Sequence, residues 1–133
     1  MSEFLLDTHI FLWSLLMPER LSSDVAAELE NLDNALWLSP ITTWEVIILT
    51  EKGRIELDRD PADWMKRVLD TFPFSQAALN HDVAIKSRKI ELPHQDPADR
   101  FIAASAMVYD LTLITADAHL ISASNEFSVF PNR

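Results

Sequence analysis

Four carboxylates stand at positions where a small fold could bring them together: Asp7, Glu45, Asp99 and Asp117. Asp7 directly follows the apolar run Phe4-Leu5-Leu6, and Asp117 lies just past the run Leu111 to Ile114. Asp96 and Asp99 sit at the start of a helix that Asp96-Pro97 opens. Glu45 is different, because on the helix beginning at Pro40 it shares a stripe with Ile41, Ile48 and Leu49, at spacings of four, three and four residues. No basic residue lies within one turn of it on that helix. Burying a carboxylate unpaired costs several kcal/mol, so a metal or a hydrogen-bond network must take it up. Should the acids converge, two carboxylates about 4 Å apart repel by roughly 4 kcal/mol at an effective dielectric of about 20, a cost that a sequence keeps for a cation. Oxygen ligands without cysteine suit Mg²⁺ or Mn²⁺, which can activate a water and stabilise the charge developing on a phosphodiester. That is the chemistry of a metal-dependent nuclease. Taken singly, the acids have plainer uses. Asp96 is well placed as an N-cap, Asp99 offsets a helix dipole, Asp7 could cap the helix that follows it, and Asp117 could be a solvated turn residue.

The elements that must position these acids can be read from periodicity and punctuation. After the strand Phe4 to Leu6, the residues Ile10, Trp13, Ser14 and Met17 share a helical face until Pro18. Ser22 or Ser23 caps a second helix through about Leu32, with Val25, Leu29 and Leu32 inward, and Leu36 to Leu38 is a strand. Ser39-Pro40 starts a helix that runs up to Gly53, and Asp60-Pro61 starts another that runs to about Asp70. Phe72-Pro73-Phe74 is extended, at best an edge strand because of Pro73. Ser75 is a candidate cap for a helix carrying Ala78, Leu79, Val83 and Ile85 and fading into the basic stretch Lys86 to Lys89. The Asp96-Pro97 helix, a strand from Leu111 to Ile114, a short helical turn after Asp117 and a strand from Phe127 to Phe130 complete the chain. Short apolar strands alternating with helices predict an α/β fold, three-layered as α/β/α around a mainly parallel sheet. The binding crevice of such a sheet lies beyond the carboxyl ends of its strands, and the acids fall at those junctions.

Composition narrows the field from another direction. The 133 residues, 48% hydrophobic with a net charge of -10, fit one globular domain over residues 1–133. With no cysteine there is no disulfide framework, thiol nucleophile or thiolate zinc site, so the expectation is cytoplasmic. Gly53 is the single glycine, which excludes glycine-rich phosphate loops, dinucleotide fingerprints and the glycine-flanked serine elbow. No apolar run approaches the roughly 20 residues a membrane span needs, and the amino terminus has no basic lead-in of a signal peptide. The negative charge opposes general nucleic-acid affinity, so any RNA or DNA contact needs local basic patches or bound cations.

The segments Leu5-Leu6-Asp7-Thr8-His9, Ser39-Pro40-Ile41-Thr42-Thr43-Trp44-Glu45, His94 to Ala104 and Leu113-Ile114-Thr115-Ala116-Asp117 resemble those of PIN-domain proteins, above all VapC-like toxins of toxin–antitoxin pairs. The likeness covers nearly the whole chain with its motifs in family order, and the block from Asp96 to Ala104 is the most specific. It implies a PIN-like α/β/α fold, Mg²⁺- or Mn²⁺-dependent cleavage of RNA by metal-activated water, a cognate antitoxin as partner and a homodimer. Carried over residue by residue, Asp7, Glu45, Asp99 and Asp117 match the acidic site. Thr8 and Thr115 match hydroxyl positions beside them, with Asp96 and Arg100 as second-tier members. Leu49 stands where many relatives carry a basic residue one turn beyond the helical Glu.

Arg100, next to Asp99, is the best phosphate candidate among the basic residues, whereas Lys86 and Lys89, like Lys52 and Arg54, read as solvated faces. His9 and His94 flank the proposed site without a catalytic assignment. Trp13, Trp37, Trp44 and Trp64 read as core or dimer-interface residues. Two other readings stand beside the nuclease: a receiver-like signalling domain with a phospho-accepting Asp, and a PIN-like binding module without activity. The first wants an acidic pair near the amino terminus and a lysine after a late strand. Leu6 before Asp7 and Thr115-Ala116 supply neither.

Overall fold

The computed structural model describes residues 1–93, 95–123 and 125–133, so His94 lies outside the described residues. Strands β1 (Glu3–Leu6), β2 (Ala35–Leu38), β3 (Ser75–Gln76), β4 (Thr112–Thr115) and β5 (Val129–Pro131) form one sheet in the order β3-β2-β1-β4-β5. Every neighbouring pair is parallel. The chain winds outward from β1 to β3 on one side and then returns to add β4 and β5 on the other. The junction of β1 and β4 is therefore the point where strand order reverses, the place at which such sheets bind ligands.

Alternation along β1 explains the two layers of core. Phe4 and Leu6 join Ile10, Phe11, Val25, Val46 and Met65 on one face, while Leu5 joins Ile102, Ala103, Leu113 and Leu120 on the other. Helices α1 (Thr8–Leu16), α2 (Ser23–Glu30), α3 (Pro40–Glu51) and α4 (Pro61–Thr71) supply the first cluster. Helices α6 (Pro97–Val108) and α7 (Ala118–Ser122) supply the second, and α5 (His81–Lys89) packs along α6. The result is the three-layer α/β/α arrangement with a parallel sheet. Among the described residues no helix is long and apolar enough to cross a membrane.

Several local expectations are corrected. The edge strand is Ser75–Gln76 and not Phe72 to Phe74, because Ser75 and Gln76 extend alongside Trp37 and Leu38. Phe74 instead turns inward, its ring edge-on to Phe11 with centroids 5.8 Å apart. With Ser75 in the sheet, α5 starts later, and Asn80 caps it by accepting the Val83 N–H at 3.0 Å. Helix α2 ends at Glu30, and a turn in which Asn31 accepts the Asp33 and Asn34 N–H groups throws Leu32 outward, 98% exposed. Of the apolar residues read onto α5, Val83 is buried and Ile85 is exposed. Trp13, Trp37 and Trp64 pack against the core, but Trp44 stands half out of it.

The helices carrying Glu45 and Asp99 are delimited by matching devices. Ser39 accepts from the Ile41 N–H at 3.1 Å ahead of Pro40, and Asp96 accepts from the Ala98 N–H at 3.0 Å ahead of Pro97. At the far end of α3, Gly53 adopts φ 70 while its N–H reaches Thr50 O and the Arg54 N–H reaches Leu49 O. Helix α6 ends in the same motif with Asp110 at φ 54, the Asp110 N–H on Met107 O and the Leu111 N–H on Ala106 O. A left-handed residue with a Cβ costs roughly 1–2 kcal/mol. A Cβ on Gly53 would meet nothing within 4 Å, so backbone strain alone decides that substitution. Gly53→Ala is expected to lower stability by about 1 kcal/mol and Asp110→Gly to raise it by a few tenths up to about 1 kcal/mol in urea unfolding.

Candidate active site

At the carboxyl end of β1 the backbone of Asp7 continues the sheet, its N–H donating to Ile114 O at 3.0 Å, and then turns into α1. The carboxylate caps that helix by accepting from the Thr8 N–H at 2.8 Å. Its other oxygen accepts from the Thr115 hydroxyl at 2.7 Å, and Thr115 in turn accepts from the Asp117 N–H at 3.0 Å. Asp7 is 6% exposed and Thr115 fully buried, so the ends of β1 and β4 are joined by a polar chain inside the protein. Burial pushes the Asp7 carboxyl above the ordinary carboxylate value, and the charge of Asp117 adds to this. The hydroxyl of Thr115, the charge of His9 and the Thr8 N–H work in the opposite direction.

Glu45 meets the partner its position on an apolar stripe demanded. The Thr8 hydroxyl donates to Glu45 Oε1 and also lies 3.0 Å from the Thr42 hydroxyl. A hydroxyl has one proton, so with that of Thr8 given to Glu45 it is Thr42 that donates to Thr8. Thr42 is fully buried one turn before Glu45's neighbour Val46, and sequence reasoning passed over it. Its only signal was a hydroxyl where the stripe of α3 would accept an aliphatic residue. Burial raises the Glu45 carboxyl, Thr8 opposes the shift, and the charges of Asp7 and Asp96 add to it.

Asp99 feels the cluster most. Its carboxyl is pushed from 3.8 up to about 8, first by burial and then by the negative charges of Asp7, Asp96, Asp117 and Glu45. Every charged neighbour named there is an acid. Asp117 caps α7, accepting from the His119 N–H at 2.8 Å and the Leu120 N–H at 3.3 Å. Asp96, exposed at the rim, makes the cap of α6 that its position suggested. Thus Asp7, Glu45, Asp99 and Asp117, drawn from four separate stretches of chain, act on one another at the switch point. Among the described residues no three acidic or histidine side chains close around a single point as a ready-made metal cage. Asp7, Glu45 and Asp117 turn instead to hydroxyls and backbone N–H groups. The donor set is nonetheless all oxygen, and burial together with the neighbouring acids opposes ionisation of Asp99. Both properties fit a hard divalent cation.

Arg100 departs from the sequence reading. Its side chain is 5% exposed and turned away from the acids, with Nε–H donating to Ser87 O at 2.8 Å and Nη2–H to Ile90 O at 2.6 Å. Packing of α5 against α6 leaves these carbonyls facing the guanidinium, so Arg100 is a buried tie between two helices and not a phosphate contact.

The raised carboxyls carry a sign. A carboxyl whose folded value lies above its unfolded value binds more protons in the native state, so stability falls as pH rises through the interval between the two. For Asp99 that interval runs from 3.8 to about 8, and Asp7 and Glu45 act in the same sense. In EDTA, the melting temperature of the wild type is expected to decline between pH 5 and about 8 relative to Asp99→Asn. Parallel melting curves for the two proteins over that range would show that Asp99 titrates normally.

A family model for the PIN domain matches residues 4–125. Ribonuclease VapC22 of Mycobacterium tuberculosis is 29% identical over 125 residues, covering 92% of each chain. VapBC2 from Rickettsia felis, solved bound to a DNA fragment from its promoter, matches with a TM-score of 0.70 at 14% identity over 98% of each chain. FitAcB from Neisseria gonorrhoeae matches with a TM-score of 0.66 at 24% identity over 97% of each chain. These structural likenesses carry the fold, and the sequence match reaches from β1 past α7, which leaves the receiver-like alternative without support. On the strength of that span the chain belongs to the PIN-domain family.

Proposed function

We propose that the protein is a Mg²⁺- or Mn²⁺-dependent endoribonuclease, the toxin of a toxin–antitoxin pair. The observation that carries this reading is the grouping of Asp7, Glu45, Asp99 and Asp117 at the ends of β1 and β4, where burial first and the neighbouring acids second push the Asp99 carboxyl up to about 8. A set of acids that cannot all ionise near neutrality is a site waiting for positive charge. Similarity to a ribonuclease named VapC22, and to solved VapBC complexes, supports both the reaction class and the partner.

Asp7, Glu45, Asp99 and Asp117 would hold the ion. When bound, such an ion lowers the pKa of water and stabilises the charge that develops on a phosphodiester. The protein's own residues prepare the site for it. Thr115 and the Thr8 N–H fix the two oxygens of Asp7, and the Thr42-to-Thr8-to-Glu45 relay fixes one oxygen of Glu45. Asp99 releases its proton as positive charge enters, so cation affinity should rise with pH up to about 8. Burial of Asp7 and Thr115 keeps water from loosening the arrangement.

Partner and oligomer follow from other surfaces. An apolar groove of about 260 Å³, lined in part by Leu15, Leu21, Leu29, Leu36 and Phe72, supports docking of an apolar segment of an antitoxin, which would also offer a basic group to the acids. Trp44, 52% exposed on α3, supports a homodimer. Light scattering at micromolar concentration is expected to exceed the 15.2 kDa of one chain, and a single species at that mass removes the dimer.

The central test compares Asp7→Asn, Glu45→Gln, Asp99→Asn and Asp117→Asn with Asp96→Ala. The first four should lose RNA cleavage in Mn²⁺ while melting in EDTA unchanged or higher, since each removes repulsion. Asp96→Ala should lose about 1 kcal/mol of stability with its cap and keep measurable cleavage. Mn²⁺ should raise the melting temperature of the wild type and much less that of the four variants. Equal destabilisation of all five, with no Mn²⁺ response in the wild type, would make the acids structural and leave an inactive binding module.

A further inference from the structure

Three cations fall within four positions at the end of α5: Lys86, Arg88 and Lys89. The sequence reads Lys86 and Lys89 as a solvated face, but packing sets this end of α5 against the start of α6, the helix that carries Asp99. Arg100, adjacent to Asp99 in the first turns of α6, grips the carbonyls of Ser87 and Ile90 and fixes the last turn of α5 against the start of α6. The Arg88 guanidinium reaches Gln95 Oε1 at 3.4 Å, beside Asp96.

The plain purpose of cations at a helix carboxyl end is to satisfy the last carbonyls and oppose the dipole. Here part of that need is already met. Arg100 takes the carbonyls of Ser87 and Ile90, and the Ile90 N–H takes that of Lys86 at 3.1 Å. Among the described residues the ion pair present is Arg59 with Asp58, so these three cations are matched to no acid. They also do not figure among the charges acting on Asp99, so they do not neutralise it.

A polyanion approaching four carboxylates is repelled at the point of reaction, and in a chain of net charge -10 its affinity must come from cations to either side. We propose that Lys86, Arg88 and Lys89 form a phosphate-binding turn that holds the RNA backbone alongside the acids, with Arg100 as the residue that positions it. This assignment rests on the ribonuclease reading.

The test is binding of a short single-stranded RNA with 2′-O-methyl sugars, followed by fluorescence anisotropy in Mn²⁺ over a series of salt concentrations. Each phosphate contact on a single strand contributes about 0.7 to the slope of log affinity against log salt. K86Q/R88Q/K89Q is expected to bind about ten-fold more weakly and to lose about 2 from that slope, while K86R/K89R retains both. The Mn²⁺-induced rise in melting temperature, which reads the acids, should persist in both variants. A slope unchanged in the triple variant overturns the proposal, whether affinity is kept or falls. So does a triple variant that keeps the RNA slope but no longer co-purifies with a co-expressed antitoxin, which would give the turn to a protein. If the wild type shows no Mn²⁺ response, the ribonuclease reading fails, and the slope comparison still decides whether the turn grips phosphates.

Discussion

Like-charge repulsion between carboxylates at the carboxyl ends of β1 and β4 sets terms that the surrounding structure has to meet. Asp7 is buried at the point where strand order reverses, and Glu45, Asp99 and Asp117 all act within the same region. In water such acids would move apart or protonate. Here all four belong to helix starts or interiors that the sheet and the two core clusters hold in place, and the strain shows as a carboxyl on Asp99 that resists ionisation. The core thus stabilises the fold in spite of the site, a division between stability and function often seen in catalytic centres.

Hydroxyls do much of the local work. Thr115 and Thr8 sit one on each side of the β1–β4 junction, and each gives its proton to a carboxylate. Thr42 extends the same arrangement from α3, so that Glu45 is oriented by a residue on its own helix acting through a residue on another. Neutral donors of this kind orient carboxylates without cancelling their charge, which a lysine or arginine would do. The inward turn of Arg100 has the same effect. It removes from the site the cation nearest in sequence and uses it to lock α5 to α6.

The fold class, the parallel sheet and the starts of the functional helices were legible in the sequence, because they depend on local spacing. Alternation in Phe4-Leu5-Leu6, the Ser39-Pro40 and Asp96-Pro97 starts and the single Gly53 each act within a few residues, and the structure realises all of them. The acids were legible for a related reason. In a parallel α/β sheet every strand-to-helix junction falls on the same edge, which gathers Asp7 and Asp117, while Asp99 sits at the start of α6, the helix that leads into β4. Glu45 announced itself by conflict, a charge on a stripe otherwise apolar.

What the sequence could not decide is which way a side chain turns once helices meet. Arg100 lies beside Asp99 in the chain, yet its direction depends on carbonyls of Ser87 and Ile90 that only the packing of α5 supplies. Thr42, Leu32 and Trp44 are cases of the same kind: one buried by contact with α1, one expelled by a turn after α2, one left exposed because α3 offers its other faces to the core. The edge strand at Ser75–Gln76 has no alternation to announce it and exists because Trp37 and Leu38 present an unpaired edge. Composition, periodicity and capping are short-range and leave their mark in neighbouring residues, so they determined the architecture and the acids. Burial and partner choice arise between segments distant in the chain, so only the tertiary structure decided which groups orient those acids and that Arg100 is drawn to α5.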